Sequence, residues 1–218
     1  MNHAVLNLPQ LPDTTLYYGT KLIPFLRHPL FGWLGLRPAL AQHTTEEHAT
    51  LRRLATGRTS IAEIGVAEGV SAATMREVMS ADGTLFLIDP FHLSRAPALN
   101  FTKRVAHRVV EACRRGKTIW IEKFSIDAAR DWNTFIDLLF IDGDHSERGV
   151  QKDWDNWNRF VVPGGIVVFH DARLFEGGWT SAADGPVKLV DGLFRIAKIH
   201  GWTIVEENHS LVAVERNR

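Results

Sequence analysis

The sequence predicts an α/β fold with a mostly parallel sheet, helices on both faces and an antiparallel hairpin at the C-terminus. From residue 43 onward, short apolar runs alternate with helix-length segments. Runs such as 138–141 and 166–169 are apolar at every position, which suits strands buried on both faces of a parallel sheet. The last two runs, 202–206 and 211–215, are separated by a short polar turn, as in an antiparallel hairpin.

Turn residues and helix caps locate the individual elements. A helix over 43–56 begins near Thr44, with acidic residues in its first turn and basic residues in its last turn. Five further strands are predicted at 60–65, 84–89, 118–122, 137–142 and 165–170. Helices are predicted at 68–80, 100–115, 126–131, 146–160 and 186–200. Five strand–helix units with right-handed crossovers therefore precede the hairpin.

The composition excludes several classes of protein. The 218 residues include 25 basic and 25 acidic side chains, and this zero formal charge argues against a general nucleic-acid binder. The single cysteine, Cys113, excludes a disulfide scaffold. No uncharged apolar run reaches the roughly 18 residues of a membrane span, and the N-terminus lacks a signal-peptide pattern. We therefore expect a cytoplasmic protein with no membrane partner.

Residues 1–42 are predicted to form a loop-rich head that precedes a single domain over 43–218. The head contains five of the nine prolines and five aromatic residues. Free linkers are poor in aromatic residues, so we expect the head to pack against something. Three roles fit this composition: a lid over a substrate pocket, a contact in a homo-oligomer, and completion of the core.

Polar residues at the ends of the first two strands indicate a ribose-containing cofactor. Gly65 and Gly69 follow the first strand and allow a sharp turn with close approach of the backbone to a ligand. Asp89 ends the second strand, where an acid can accept hydrogen bonds from two ribose hydroxyls. The alternatives at this point are a purely structural turn for the glycines and a turn cap for Asp89.

A second polar cluster follows the fourth and fifth strands. Asp142 and His145 come after one buried run, and His170 and Asp171 come after the next. If these two strands are neighbours, Asp142, His170 and Asp171 converge, and carboxylates of this kind suit Mg²⁺. His145 lies within reach of such an ion. Because an imidazole titrates near neutral pH, His145 is a candidate general base.

These segments together resemble a known family. The residues of 63–69, 141–145 and 163–171, with Asp89 between them, resemble class I S-adenosylmethionine-dependent methyltransferases. More narrowly, they resemble the metal-dependent O-methyltransferases of natural-product sugars, such as the macrocin and mycinamicin enzymes, which are related to catechol methyltransferases. The resemblance covers about residues 43–215. It implies a Rossmann-like seven-stranded sheet with a reversed last strand, and a small-molecule hydroxyl acceptor, either a sugar or a phenol.

The resemblance also implies how the cofactor S-adenosylmethionine would be held. Its methionine moiety would contact the glycine loop, which Glu63 would support, and its carboxylate would bond to Ser71. Asp89 would hold the ribose, and Ser125 would lie near the adenine. The implied cofactor-binding residues are Glu63, Gly65, Val66, Ala67, Gly69, Ser71, Asp89, Ser125 and Asp142.

The same resemblance implies a metal centre and a catalytic base. Asp142 and Asp171 match the metal ligands of the family, and His145 matches the base of the sugar enzymes. His170, the third expected ligand, departs from the family because relatives often have a carboxylate there. An imidazole ligand softens the site, so Mn²⁺ and Fe²⁺ are alternatives to Mg²⁺.

Two other functions fit part of this pattern. A non-haem iron oxygenase would use His145, His170 and one aspartate as its metal-binding triad, although the cofactor loop would then be unexplained. A non-catalytic cofactor-binding protein would retain the sheet without turnover. Binding of S-adenosylmethionine, methyl transfer and oxygen uptake distinguish these three hypotheses.

Overall fold

The structure, a computed structural model, describes residues 27–91 and 100–218. In these residues the strands are β1 Ser60–Ile64, β2 Thr84–Ile88, β3 Lys117–Ile121, β4 Ile136–Ile141, β5 Val161–Phe169, β6 Trp202–Asn208 and β7 Leu211–Arg216. The α-helices are α1 Pro29–Trp33, α2 Thr45–Ala55, α3 Val70–Val78, α4 Phe101–Ala112, α5 Ser125–Arg130, α6 Glu147–Trp157 and α7 Gly185–Val190. A 3-10 turn, Asn158–Phe160, follows α6.

The strands form one seven-stranded sheet in the order β3-β2-β1-β4-β5-β7-β6. The first five of these strands run parallel to one another, whereas β7 is antiparallel to both β5 and β6. The predicted mostly parallel sheet and C-terminal hairpin are therefore confirmed. The hairpin does not simply extend the sheet, because its second strand is inserted between β5 and β6.

The register of the parallel strands aligns their carboxyl ends. Ile64 of β1 pairs with Ile88 of β2 on one side and with Ile141 of β4 on the other. Ile141 in turn pairs with Phe169 of β5. The residue that follows each of these four positions therefore emerges at the same edge of the sheet. This edge is where ligands bind in open α/β sheets.

The central strands β4 and β5 are buried on both faces over the continuous apolar runs 138–141 and 166–169, as predicted. Along β4, Leu138 and Phe140 face a core shared with α2, α3 and α4. The alternate residues Leu139 and Ile141 face a second core, shared with α5, α6 and α7. Successive side chains of a strand point to opposite faces, so one strand contributes to both cores.

Helix α2 begins two residues later than predicted because Thr44 caps it. The Thr44 hydroxyl accepts a hydrogen bond from the Glu47 N–H, and the Glu47 carboxylate accepts one from the Thr44 N–H. This reciprocal pair is a capping box. The predicted helix 186–200 also differs: α7 ends at Val190 and continues as a π-helical segment, Asp191–Ile196.

The described part of the predicted head, residues 27–42, packs on the rest of the chain. Arg108 of α4 donates hydrogen bonds to the carbonyl oxygens of Gly32 and Trp33. The ring of Trp33 lies 5.3 Å from that of Phe101. Most of the head, including three prolines at 9, 12 and 24, lies outside the described residues, so the division at residue 42 stays a prediction. No helix in the described ranges is long and apolar enough to cross a membrane.

Candidate cofactor cavity and metal centre

A cavity of about 610 Å³ lies at the carboxyl ends of the parallel strands. This volume is within the range of small-molecule sites. Of the nine residues expected to bind the cofactor, all but Glu63 line the cavity. They are Gly65, Val66, Ala67, Gly69, Ser71, Asp89, Ser125 and Asp142. The strand order thus brings together residues from four separate segments of the sequence.

The glycine turn after β1 requires both of its glycines. Gly65 has φ of +86° and Gly69, the N-cap of α3, has φ of +81°. A side-chain carbon at Gly65 would overlap the carbonyl oxygen of Asp142 on the neighbouring strand. Glycine is the residue that adopts this conformation at no steric cost. The turn therefore lets the backbone pass close to β4 at the floor of the cavity.

Asp89 holds the glycine turn in place. One carboxylate oxygen accepts hydrogen bonds from the backbone N–H groups of Val66 and Ala67, at 2.8 and 3.2 Å. The other accepts one from the Phe91 N–H at 2.7 Å. A carboxylate offers about four acceptor sites, so these three bonds leave room for one more donor. The expected contact of Asp89 with the ribose stays a prediction. The structure shows a further role for Asp89, which is to support the glycine turn.

Glu63 lies behind the cavity wall rather than in it. Its carboxyl group is fully buried in β1, and Oε1 accepts a hydrogen bond from the Ser71 hydroxyl. Its second oxygen has no hydrogen-bond partner within residues 27–91 and 100–218. Burial raises the pKa of Glu63 well above its ordinary value. The Ser71 hydroxyl, which we expected to meet the cofactor carboxylate, is therefore already bonded to Glu63.

The expected adenine end of the cavity contains an acid that the sequence analysis missed. Asp153 of α6 lines this end and accepts a hydrogen bond from the Ser125 hydroxyl. The Ser125 carbonyl also accepts one from the Trp157 indole at 3.2 Å. Burial and the nearby charge of Asp144 raise the pKa of Asp153 to about 6. Ser125 is thus held by two residues that lie one turn apart on the same face of α6.

Asp142 and two histidines form a compact cluster beside the cavity. Asp142 Oδ1 lies 3.0 Å from His170 Nδ1 and 3.2 Å from His145 Nε2. One ligand atom from each of these three residues lies within 4.8 Å of the others, so the set fits a single metal ion. The donors are one carboxylate and two imidazoles. This mixture suits a divalent ion of intermediate softness, such as Mn²⁺ or Fe²⁺, as well as Mg²⁺.

Asp171, an expected ligand, adjoins this cluster without being part of the three-residue set. Its oxygens lie 3.3 Å from His145 Nδ1 and 3.5 Å from His170 Nδ1. The indole N–H of Trp179 donates a 2.7 Å hydrogen bond to Asp171 Oδ1. Burial raises the pKa of Asp171 above its ordinary value. His145, expected as the base of a methyltransferase and as a metal ligand only in the oxygenase alternative, takes the place of Asp171 among the three clustered donors.

The charges in the cluster depend on one another. Burial opposes ionisation of Asp142, but the adjacent His170 and His145 hold its pKa well below the usual range. Burial likewise opposes protonation of His170, but the Asp142 carboxylate raises its pKa well above the ordinary value. The hydrogen bond with Asp142 also raises the pKa of His145. The Asp142 carboxylate therefore favours positive charge beside it, whether that of a proton on a histidine or that of a bound cation.

Three acidic residues near the site were not singled out by the sequence analysis: Glu47, Glu68 and Asp153. For two of them, the spacing from apolar residues of the same helix indicates a buried position. Glu47 precedes the buried Leu51 by four residues, and Asp153 follows the buried Val150 by three. An acid on the apolar stripe of a helix must be paired or neutral, which makes it a candidate site residue. No helical spacing of this kind identifies Glu68. Its partner, Arg37, belongs to the predicted head.

The sheet order, the reversed β7 and the glycine turn at the strand ends define a class I methyltransferase fold. The family model described as "Methyltransferase domain" matches residues 62–172. The chain therefore belongs to the methyltransferase domain family. The match includes the glycine turn, Asp89 and the whole of the Asp142–Asp171 region.

Solved structures show the same fold at low sequence identity. A protein of Corynebacterium glutamicum is 16% identical, with a TM-score of 0.62 over 94% of this chain and 95% of that one. An O-methyltransferase of Bacillus cereus, solved in complex with SAH, is 16% identical, with a TM-score of 0.58 over 92% and 96%. The N-methyltransferase NodS of Bradyrhizobium japonicum is 18% identical, with a TM-score of 0.54 over 79% and 95%.

Proposed function

We propose that the protein is an S-adenosylmethionine-dependent O-methyltransferase, assisted by a divalent metal, that methylates a hydroxyl group of a sugar or another small natural product. The observation that carries this proposal is the double position of Asp142. It lines the cofactor cavity and also contacts both histidines of the candidate metal centre. A methyl donor in the cavity and a hydroxyl held by the metal would therefore lie close together, on two sides of the Asp142 side chain. Family membership and the bound SAH of the Bacillus cereus relative support the choice of cofactor.

Each part of the site has a role in this reaction. S-adenosylmethionine, when bound, supplies an activated methyl group, and a divalent ion, when bound, lowers the pKa of a coordinated hydroxyl. Asp142 and His170 would hold the ion, with Asp171 beside them. The glycine turn and Asp89 would fix the cofactor, and correct alignment of reactants contributes a large part of the rate.

His145 is the residue placed to accept the proton of the acceptor hydroxyl. Its side chain is 40% exposed, whereas that of His170 is 1% exposed, so His145 is the histidine that an acceptor can reach. Its two ring nitrogens lie near Asp142 and Asp171. These carboxylates stabilise the imidazolium that forms when the proton is taken up.

The proposal is tested by incubating the purified protein with S-adenosylmethionine and a panel of vicinal diols and phenols. We expect one acceptor to gain the mass of one methylene group, and we expect a chelator to suppress the gain. Calorimetric titration should show S-adenosylmethionine binding with or without chelator. Cofactor binding without transfer to any acceptor would favour a non-catalytic protein, and transfer that is insensitive to chelator would remove the metal from the proposal.

A second function is favoured by one observation. The clustered ligand set, His145, His170 and Asp142, is the two-histidine, one-carboxylate combination of non-haem iron oxygenases. Oxygen uptake by the Fe²⁺-loaded protein without S-adenosylmethionine would support that function. The cofactor cavity and the family of the chain favour the methyltransferase.

A further inference from the structure

Glu47 is a fully buried carboxylate on the first turn of α2, outside the matched family segment. Its Oε2 accepts a 2.7 Å hydrogen bond from the Thr44 N–H. Its Oε1 accepts bonds from the N–H and hydroxyl of Ser210 in the β6–β7 turn, at 2.7 and 2.6 Å. The carboxylate thus joins a helix start to the turn of the C-terminal hairpin. Three of its roughly four acceptor sites are filled by these bonds.

The remaining side of Glu47 faces His170. Glu47 Oε2 lies 3.7 Å from His170 Nε2, which is about 0.8 Å longer than a usual N–H···O bond. His170 Nε2 is buried and has no hydrogen-bond partner among the described residues. On the opposite side of the same ring, Nδ1 lies 3.0 Å from Asp142. The imidazole is therefore placed between two carboxylates, one behind the metal centre and one within it.

The negative charge of Glu47 makes one of the two ring nitrogens of His170 the favoured site for a proton. Both oxygens of Glu47 act as acceptors, one for the Thr44 N–H and the other for the N–H and hydroxyl of Ser210, which is the bonding pattern of an ionised carboxylate. An ionised carboxylate that faces Nε2 favours a proton on that nitrogen. The lone pair needed for a metal is then left on Nδ1, the nitrogen beside Asp142. Metal-binding histidines commonly have such a carboxylate on their second nitrogen.

We propose that Glu47 is a positioning residue of the metal centre: it keeps a proton on His170 Nε2 and presents His170 Nδ1 to the ion beside Asp142. Its effect on the ion rests on the proposed function, whereas its effect on the His170 ring does not. Glu47 acts through His170 and is not among the described residues that line the cofactor cavity. The capping box alone would not require the carboxylate to face a histidine, because Thr44 and Glu47 complete that motif between themselves.

The test compares Glu47→Gln with Thr44→Ala. Glutamine has nearly the same shape and its amide oxygen still accepts hydrogen bonds, but the charge behind His170 is lost. Thr44→Ala removes the capping hydroxyl and leaves the carboxylate and the Thr44 N–H in place. Both variants are expected to unfold at lower temperature than the wild type. Only Glu47→Gln is expected to bind Mn²⁺ more weakly in calorimetry, by roughly 10- to 100-fold.

A second measurement follows the His170 ring without any metal. In protein labelled with ¹⁵N at histidine, the His170 Nε2 signal, assigned with a His170→Gln variant, should move in Glu47→Gln and stay in place in Thr44→Ala. If Glu47→Gln does not fold, Glu47→Asp replaces it, because the shorter side chain withdraws the carboxylate from Nε2.

The outcomes separate this proposal from the proposed function. Unchanged Mn²⁺ affinity together with an unchanged Nε2 signal in the Glu47 variants would overturn the positioning role. If the wild type binds no Mn²⁺, the metal-assisted reaction fails, and the Nε2 signal alone decides on Glu47. A moved signal then supports the positioning role, and an unmoved one overturns it.

Discussion

Two fully buried glutamates differ in charge because their surroundings differ. Glu47 accepts three strong hydrogen bonds and faces His170, so its pKa is lowered to about 2. Glu63 accepts one hydrogen bond from Ser71, and its other oxygen has no partner in the part of the chain that the structure describes, so burial raises its pKa. Desolvation penalises the ionised form of both, and only local donors and cations offset it. The ionisation of each acid is thus set by its few nearest atoms.

The role of His145 as the base predicts a strong effect of its removal. We expect His145→Ala to lower kcat by about 10²- to 10⁴-fold, which is the usual contribution of a general base. His145 does not line the cofactor cavity, so the affinity for S-adenosylmethionine should be retained. Steady-state kinetics and calorimetry measure the two quantities. A kcat close to that of the wild type would eliminate His145 as the base.

The raised pKa of Asp153 predicts a pH-dependent stability. Burial raises this pKa from 3.8 to about 6, so the folded protein favours the protonated acid. The associated stabilisation is fully present below pH 3.8 and is lost as the pH rises through about 6, which amounts to about 3 kcal/mol. Asparagine does not titrate, so Asp153→Asn should remove this part of the pH dependence.

Urea denaturation between acidic and neutral pH measures this effect as the free energy of unfolding. The matched control is Asp155→Asn, which changes an exposed carboxyl of the same helix. We expect the control to follow the pH profile of the wild type. If Asp153→Asn also follows that profile, Asp153 does not titrate in this range.

At the scale of elements, the site is made by the ends of strands rather than by their interiors. Because β1, β2, β4 and β5 end in register, Gly65, Asp89, Asp142 and His170 emerge side by side. The β-strands themselves contribute apolar side chains to the two cores. The buried central strands therefore hold polar residues that lie on the short turns after them, as is common in α/β proteins.

The close contact between the glycine turn and β4 predicts a specific cost for a side chain at Gly65. Ala at Gly65 would have an unfavourable φ of +86° and would also overlap the Asp142 carbonyl. Gly201 is a matched control, because it has the same φ and no atoms within 4 Å of an added side-chain carbon. We expect Gly201→Ala to cost about 1–2 kcal/mol of unfolding free energy and Gly65→Ala to cost more.

Gly65→Ala should in addition weaken S-adenosylmethionine binding, whereas Gly201→Ala should not. Chemical denaturation and calorimetry test the two expectations separately. Equal destabilisation by both substitutions would show that the turn moves away from β4 without cost, contrary to the close packing described above.

At the scale of the whole molecule, the end of the predicted head is bound to the cofactor turn by one ion pair. The Arg37 guanidinium donates two hydrogen bonds to Glu68, at 2.7 and 2.6 Å, and both side chains are almost fully buried. Glu68 also accepts a hydrogen bond from the Leu40 N–H. Residues 40–43 line the cavity. Residues 40–43 therefore form part of the cavity wall, and the role of the head as a lid stays a prediction.

Breaking this pair should destabilise the protein strongly. Arg37→Met leaves the Glu68 carboxylate buried without its cation, which typically costs about 3–5 kcal/mol. The matched control is Arg52→Met, which removes an exposed ion pair with Glu77 and should cost about 1 kcal/mol or less. Denaturation measures both. Similar small losses would mean that the Arg37–Glu68 pair is dispensable for folding.

Local patterns in the sequence determined the elements and the polar residues at their ends. An apolar run without alternation indicates a strand that is buried on both faces. Such a run can be recognised from a few consecutive residues of the sequence. The glycine turn, Asp89 and the Asp142–His145 and His170–Asp171 clusters were predicted for the same reason. Of the predicted cofactor residues, only Glu63 lies outside the cavity lining.

Only the tertiary structure decided which of these residues meet. The order β2-β1-β4-β5 brings the glycine turn between Asp89 and Asp142, and no periodicity in the chain encodes that order. The pairings of Glu47 with His170, Asp153 with Ser125 and Arg37 with Glu68 also join distant segments. Their charges depend on burial and on the nearest partners. Electrostatic energies depend on the distance between charges in space and on their burial, and sequence spacing fixes neither.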